Sequence, residues 1–183
     1  MSKVYVLFAD GFEDIEGLTV VDILRRAKID VETCSVMGRK EITTSHGIKL
    51  LADVLFEEAD FASADMVVLP GGLKGTNTLM DHAGVAEVIK KFDSEGKFVC
   101  AICAAPSVLG MNGLLQGKKA VSYPGFEDKL LGATYMTGAK AVRDGNIITS
   151  RGMGTSMDFA LAILTALTSE EVAKDMAAKV QFD

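Results

Sequence analysis

Cys103 is the residue whose type and position together suggest chemistry. It stands in Ala101-Ile102-Cys103-Ala104-Ala105-Pro106, where an apolar run from Lys97 to Ile102 ends and a helix begins. Pro106 suits a first helical turn. Alanines lie two residues before and two residues after the cysteine. A sharp strand-to-helix turn that exposes a nucleophile needs small residues at those two places, because the turn brings their Cβ atoms together. The helix start beyond it offers unpaired N–H groups and a positive dipole end, both of which favour the reactive thiolate. Glu16 falls in the first turn of the first helix, at the edge of its apolar stripe. A carboxyl angled toward the core there is raised by desolvation, and when protonated it could donate to the Cys103 sulfur or carry a proton. Gly71 and Gly72 follow a strand and let backbone approach a ligand closely. The N–H groups of Gly72 and Ala104 could then form an oxyanion hole.

Other residues offer less. Glu13 and Asp14 are expected to face solvent and complement the helix N-terminus. Cys100 and Cys103 match C-x-x-C, but Cys100 lies inside the strand. Three extended residues separate Cα atoms by roughly 10 Å, whereas a disulfide tolerates less than about 7 Å. No metal site is expected, since too few ligands are offered. His46 and His82 are expected in loops or at the surface, and nine methionines read as core filler. Gly152-Met153-Gly154 precedes a helix and could touch a ligand.

These residues require a scaffold of alternating strands and helices. Lys3 to Ala9 is an almost continuous apolar run, as a strand covered on both faces should be. Gly17, Val20, Val21, Leu24 and Ala27 then keep helical spacing. Ile29 to Met37 and Asp65 to Leu69 read as strands, and Val85 to Phe92 as a helix. Ala120 to Tyr123 reads as a short strand. Glu41–Ser45 with Ile48–Ala52, and Lys140–Arg143 with Ile147–Ser150, read as hairpins, the second turning at Asp144-Gly145. Thr155 with Asp158, and Thr168 with Glu171, resemble capping boxes of two C-terminal helices. This alternation predicts an α/β fold with a mainly parallel sheet and helices on both faces. Its ligand site should lie beyond the carboxyl ends of the strands.

Composition bounds the rest. The chain has 183 residues, 49% of them hydrophobic and 24% charged, which suits one domain over residues 1–183. A formal net charge of -6 and a pI near 5.0 argue against a nucleic-acid partner, which needs clustered Lys and Arg. No apolar run reaches membrane-spanning length, and the N-terminal run is too short for a signal segment. Three cysteines suit a reducing compartment, so a cytoplasmic location is expected.

Four stretches in order resemble the ThiJ/PfpI superfamily, in the branch of the Parkinsonism-associated protein deglycase. They are Ala9-Asp10-Gly11-Phe12-Glu13-Asp14-Ile15-Glu16, Val67-Val68-Leu69-Pro70-Gly71-Gly72, Ala101 to Pro106, and Thr149-Ser150-Arg151-Gly152. The resemblance covers nearly the whole chain. It implies a flavodoxin-like three-layer sandwich of the class I glutamine amidotransferase-like type, and a homodimer. It further implies a nucleophilic Cys103 hydrogen-bonded to a protonated Glu16, with an oxyanion pocket from the Gly72 and Ala104 amides. The activity implied is a cofactor-free glyoxalase or deglycase acting on methylglyoxal, related α-oxoaldehydes or their glycated adducts. The alternative implied is a peroxide-responsive chaperone or regulatory binding protein, in which Cys103 oxidises to sulfinate. Tyr123 stands where the family has a site histidine, and Tyr is a poor base near neutral pH. It is expected to bind substrate. His46 stands where the family has an arginine. Ala104 replaces the histidine that follows the nucleophile in the protease-like branch, which disfavours a peptidase or amidohydrolase.

Overall fold

The computed structural model describes residues 2–182. The chain begins with β1 (Lys3–Phe8), α1 (Asp14–Arg26) and β2 (Asp30–Ser35). The short strands β3 (Glu41–Thr43), β4 (Lys49–Leu51) and β5 (Val54–Leu55) follow. Then come β6 (Met66–Leu69), α2 (Leu73–Asp81), α3 (Ala83–Ser94), β7 (Phe98–Ile102) and α4 (Pro106–Met111). The chain continues through β8 (Lys119–Ala120), β9 (Thr134–Tyr135), β10 (Ala141–Asp144) and β11 (Ile147–Ser150), and ends with α5 (Ser156–Leu167) and α6 (Glu170–Lys179). Among the described residues no helix is long and apolar enough to cross a membrane.

Seven strands form one sheet in the order β10-β11-β7-β6-β1-β2-β5. Every pair is parallel except β10 with β11, which form the hairpin expected from Asp144-Gly145. The β3–β4 hairpin stands apart, pairing Glu41 with Leu51 and Thr43 with Lys49.

The alternation of side chains along each strand divides the core in two. Val4, Val6, Phe8, Val68, Cys100, Ile102 and Ile148 face one layer, where they meet Val20, Leu24, Phe159, Ile163 and Met176 of α1, α5 and α6. Tyr5, Leu7, Val67, Leu69, Val99, Ala101 and Ile147 face the other, where they meet Leu79, Ile89, Phe92 and Val108 of α2, α3 and α4. Strands apolar on both faces are what a sheet sandwiched between helices demands. The result is the three-layer, flavodoxin-like α/β fold expected.

Several local expectations give way to tertiary contacts. The strand expected over Ala120–Tyr123 ends at Ala120, because Val121 N–H donates to the Thr149 hydroxyl and Tyr123 N–H to the Cys103 carbonyl, both away from a ladder. Neither expected capping box forms. The Thr155 hydroxyl bonds back to Gly152 and Ser150, while Asp158 accepts from Lys140 at 3.2 Å. Thr168 donates to the Leu164 carbonyl, and Ser169 caps α6 by accepting from Val172 N–H. Helix α2 has no counterpart in the expected pattern, since Leu-Lys-Gly-Thr-Asn-Thr is poor in helix formers.

Candidate active site

The carboxyl ends of β1, β6 and β7 meet at one edge of the sheet, and each hands its chain to a tight turn. After β7 comes Cys103, with φ of 64°. A non-glycine residue in the left-handed region costs on the order of 1–3 kcal/mol and persists only where neighbours fix it. Here Cys103 N–H donates to the Ser150 carbonyl at 3.0 Å, and its own carbonyl accepts from Tyr123 N–H at 2.8 Å. Ala105 N–H closes the turn onto Ile102 O at 3.0 Å. Ala101, Ala104 and Ala105 are buried around it, in keeping with the small residues such a turn requires.

The turn after β6 crosses directly above. A Cβ placed on Gly71 would lie 2.4 Å from Glu16 Oε2 and 2.6 Å from Cys103 Cβ. Glycine at this position therefore lets the backbone pass between the two groups. Gly72 has φ of 87°, and a Cβ there would meet the Gly11 carbonyl at 2.4 Å. Its backbone N–H and that of Ala104 lie near enough to the Cys103 sulfur to favour its charged form.

Glu16 is fully buried. Its Oε2 accepts from Gly71 N–H at 2.9 Å, while Oε1 has no partner aligned for a hydrogen bond. The Cys103 thiol lies close enough to interact with this carboxyl all the same. Burial raises Glu16 from 4.5 to about 7, against the opposing pull of the Cys103 and Gly71 contacts, and the charge of Glu13 adds to the rise. Burial also pushes the Cys103 thiol up, to about 12, with the Glu16 charge adding to it and the two amides opposing. This direction runs against the lowered thiol expected from the helix start alone, because desolvation outweighs one short helix of six residues. The two groups are coupled, and the carboxyl is the first of them to ionise, near neutral pH, after which its charge opposes formation of the thiolate.

A cavity of about 550 Å³ opens over Cys103, Glu16, Gly72 and Ala104. Its walls also include Glu13, His46, Leu73, Tyr123, Phe126 and Met153. Tyr123 sits half-exposed at the cavity, and Gly71, though packed against Glu16 and Cys103, is not among the residues of the wall. Glu13, His46, Leu73 and Phe126 were not singled out as site residues from sequence. Leu73 follows directly on the Gly71-Gly72 signal, whereas Phe126 sits in an irregular stretch without periodicity.

The region around Asp14 departs from expectation. Asp14 is buried, and accepts from the Thr44 and Ser45 hydroxyls and pairs with His46 Nδ1 at 2.8 Å. Burial alone would raise it, yet the hydrogen bonds from Thr44, His46 and Ser45 hold it down at about 2. His46 is raised by its bond to Asp14 and by the charge of Glu13. The β3–β4 hairpin folds over the start of α1 and removes Asp14 from solvent, which no local pattern announces. His46 is exposed, as expected for a turn, but it also borders the cavity. Glu13, Asp14 and His46 place potential ligand atoms within 4.8 Å of one another, the one such group among the described residues. They are already engaged with each other and with Ser45. Cys34 and Cys100 are buried, free and raised by burial.

Comparison with known proteins places this geometry in context. The family model described as DJ-1/PfpI matches residues 2–166. DJ-1 homolog B of Arabidopsis thaliana is 38% identical over 95% of this chain and 40% of its own length, so the chain spans well under half of that relative. A protein of Pyrococcus abyssi named as a deglycase is 37% identical over 83% of this chain and 91% of its own. Among solved structures, oxidized DJ-1 of Toxoplasma gondii superposes with a TM-score of 0.94 at 34% identity, covering 100% of this chain and 99% of the other.

Proposed function

Because the chain belongs to the DJ-1/PfpI family, we propose that it is a cysteine-dependent, cofactor-free enzyme of the glyoxalase or deglycase type. Its substrates are methylglyoxal, related α-oxoaldehydes and their early adducts. One observation carries the reading: Cys103 sits in a left-handed turn close to the Gly72 and Ala104 amides, beside a fully buried carboxyl raised to about 7. A proton carrier is most useful near the working pH.

The Cys103 sulfur adds to the aldehyde carbon, and the thiol proton passes through Glu16 to the carbonyl oxygen, giving a hemithioacetal. The Gly72 and Ala104 N–H groups stabilise negative charge on that oxygen as it develops. Glu16 then takes the proton from the aldehyde carbon and returns one to the neighbouring ketone carbon, through an enediol, while the ketone oxygen gains a proton and the hemithioacetal hydroxyl gives one up. The first carbon becomes a thioester and the second an alcohol, so oxidation and reduction balance within the substrate. Water cleaves the thioester, releasing a 2-hydroxy acid and the thiol. For methylglyoxal the product is lactate.

Methylglyoxal consumption with lactate detection, in a buffer without amines, tests this reading. Turnover in the wild type that is lost in Cys103→Ser and lowered in Glu16→Gln is expected. Equal rates for wild type and Cys103→Ser would overturn it.

A second reading is a peroxide-responsive binding protein. It is favoured by Tyr123, which stands where the family has a histidine, and by the relative described as oxidized. Two equivalents of peroxide would convert the Cys103 thiol to sulfinate and two waters. The Gly72 and Ala104 amides with protonated Glu16 would hold its oxygens. Sulfinate formation with no aldehyde turnover would select it. Under either reading we expect a homodimer, since Ile15 and Leu18 of α1 and Ile48 and Leu51 of the β3–β4 hairpin leave large apolar side chains exposed.

A further inference from the structure

A second cavity, of about 470 Å³, adjoins the Cys103 cavity at Tyr123 and Met153, which border both. It is walled in part by Arg151, Gly152 and Gly154. A three-carbon aldehyde fills only a small part of the first cavity, and the two together have the size of a pocket for a much larger ligand.

Arg151 differs from the other four arginines. Arg25 pairs with Asp53, Arg26 with Asp22 and Arg39 with Asp10. Arg143 donates to the Gly145 carbonyl and lies over the Phe98 ring. Arg151 donates from its backbone to Lys140 O, but among the described residues its guanidinium has no acceptor, and Lys140 takes Asp158. Arg151 is half-buried, and a guanidinium with five free donors favours a planar anion. The glycines beside it keep the space open. A Cβ on Gly154 would meet nothing within 4 Å, while one on Gly152 would press on the Tyr123 ring at 3.3 Å and move the divider between the cavities. The charges also differ, with the Glu13 carboxylate, beside His46, on the Cys103 side and Arg151 on the other. A substrate with one anionic end is thereby oriented.

We propose that Arg151 and this cavity form a carrier subsite, which takes the carboxylate of an amino acid or peptide whose thiol or amine bears the α-oxoaldehyde. This deepens the reading given above and rests on it for the identity of the reacting end. The preferred substrates are then carboxylate-bearing adducts rather than the free aldehyde.

The test is binding to Cys103→Ser protein, measured by calorimetry with S-(2-oxopropyl)-N-acetylcysteine and with its methyl ester. The acid is expected to bind about tenfold or more tightly than the ester, as one charge-assisted pair provides. The preference should vanish in Cys103→Ser/Arg151→Gln and persist in part in Cys103→Ser/Arg151→Lys, which keeps the charge. Equal affinity for acid and ester, no binding of either, or a preference that survives Arg151→Gln would overturn the subsite. Because binding is read without turnover, a failed lactate assay with the acid preference intact would refute the catalytic reading alone.

Discussion

Replacing Glu16 by Gln should remove a pH dependence of stability that the wild type carries. Glu16 is fully buried and is raised from 4.5 to about 7 in the folded chain. A raised acid favours the folded state in its protonated form. Its contribution is therefore complete below about pH 4.5 and is lost as the pH rises through about 7. At about 1.4 kcal/mol per unit, the shift corresponds to about 3 kcal/mol between those limits. For a chain of this length, that is about 6–12 °C in the unfolding midpoint. Gln cannot ionise. Its carbonyl can accept from Gly71 N–H as Oε2 does, and its amide takes the place of the unpartnered Oε1. His46 also titrates with the same sign, but both proteins carry it, so it cancels in the comparison. The assay is thermal unfolding followed by circular dichroism at steps from pH 4.5 to 8.5. The wild-type midpoint should fall across this range by several degrees more than that of Glu16→Gln. Parallel profiles for the two proteins would refute the claim that a buried, raised carboxyl lies beneath Cys103.

Gly71→Ala should damage the site with little strain of its own backbone, because the new Cβ must displace Glu16 Oε2 and Cys103 Cβ, at 2.4 and 2.6 Å. Overpacking of this kind costs about 1–3 kcal/mol, and a midpoint unchanged from the wild type would count against the packing described. Asp14→Asn should loosen the β3–β4 hairpin by about 1–3 kcal/mol, the worth of hydrogen bonds to a buried charge. Amide exchange should rise at Thr44 and Ile48 and not in β7, and uniform exchange would exclude a local latch. Because Asp14 is held at about 2, this contribution is present above its ordinary carboxylate range and is lost only as the pH falls toward 2. Of the three cysteines, Cys103 should be alkylated first by iodoacetamide, since Cys34 and Cys100 have no exposed surface. Mass mapping that finds another cysteine modified first would contradict this burial.

Much of the fold is legible in the sequence because it is written in local pattern. Runs such as Val4–Phe8 and Val99–Ile102 are apolar on both faces, and only a sheet covered on both sides accepts that. The Cys103 turn is legible for a similar reason, since a tight strand-to-helix passage restricts the residues on either side to small ones. Where the pattern is silent, contacts between distant segments decide. Helix α2 has weak intrinsic propensity, yet Gly75 seats it against Phe12, where a Cβ would lie 2.9 Å from the Phe12 Cα. Asp14 reads as a solvated helix-start acid until Thr44, Ser45 and His46, some thirty residues on, enclose it. The Cys103 thiol illustrates the division most directly. Its position at a tight strand-to-helix turn follows from the chain around it. The direction of its pKa does not, because desolvation depends on how completely Glu16, Gly71 and the neighbouring layer close over the sulfur, and closure is a property of the packed fold alone.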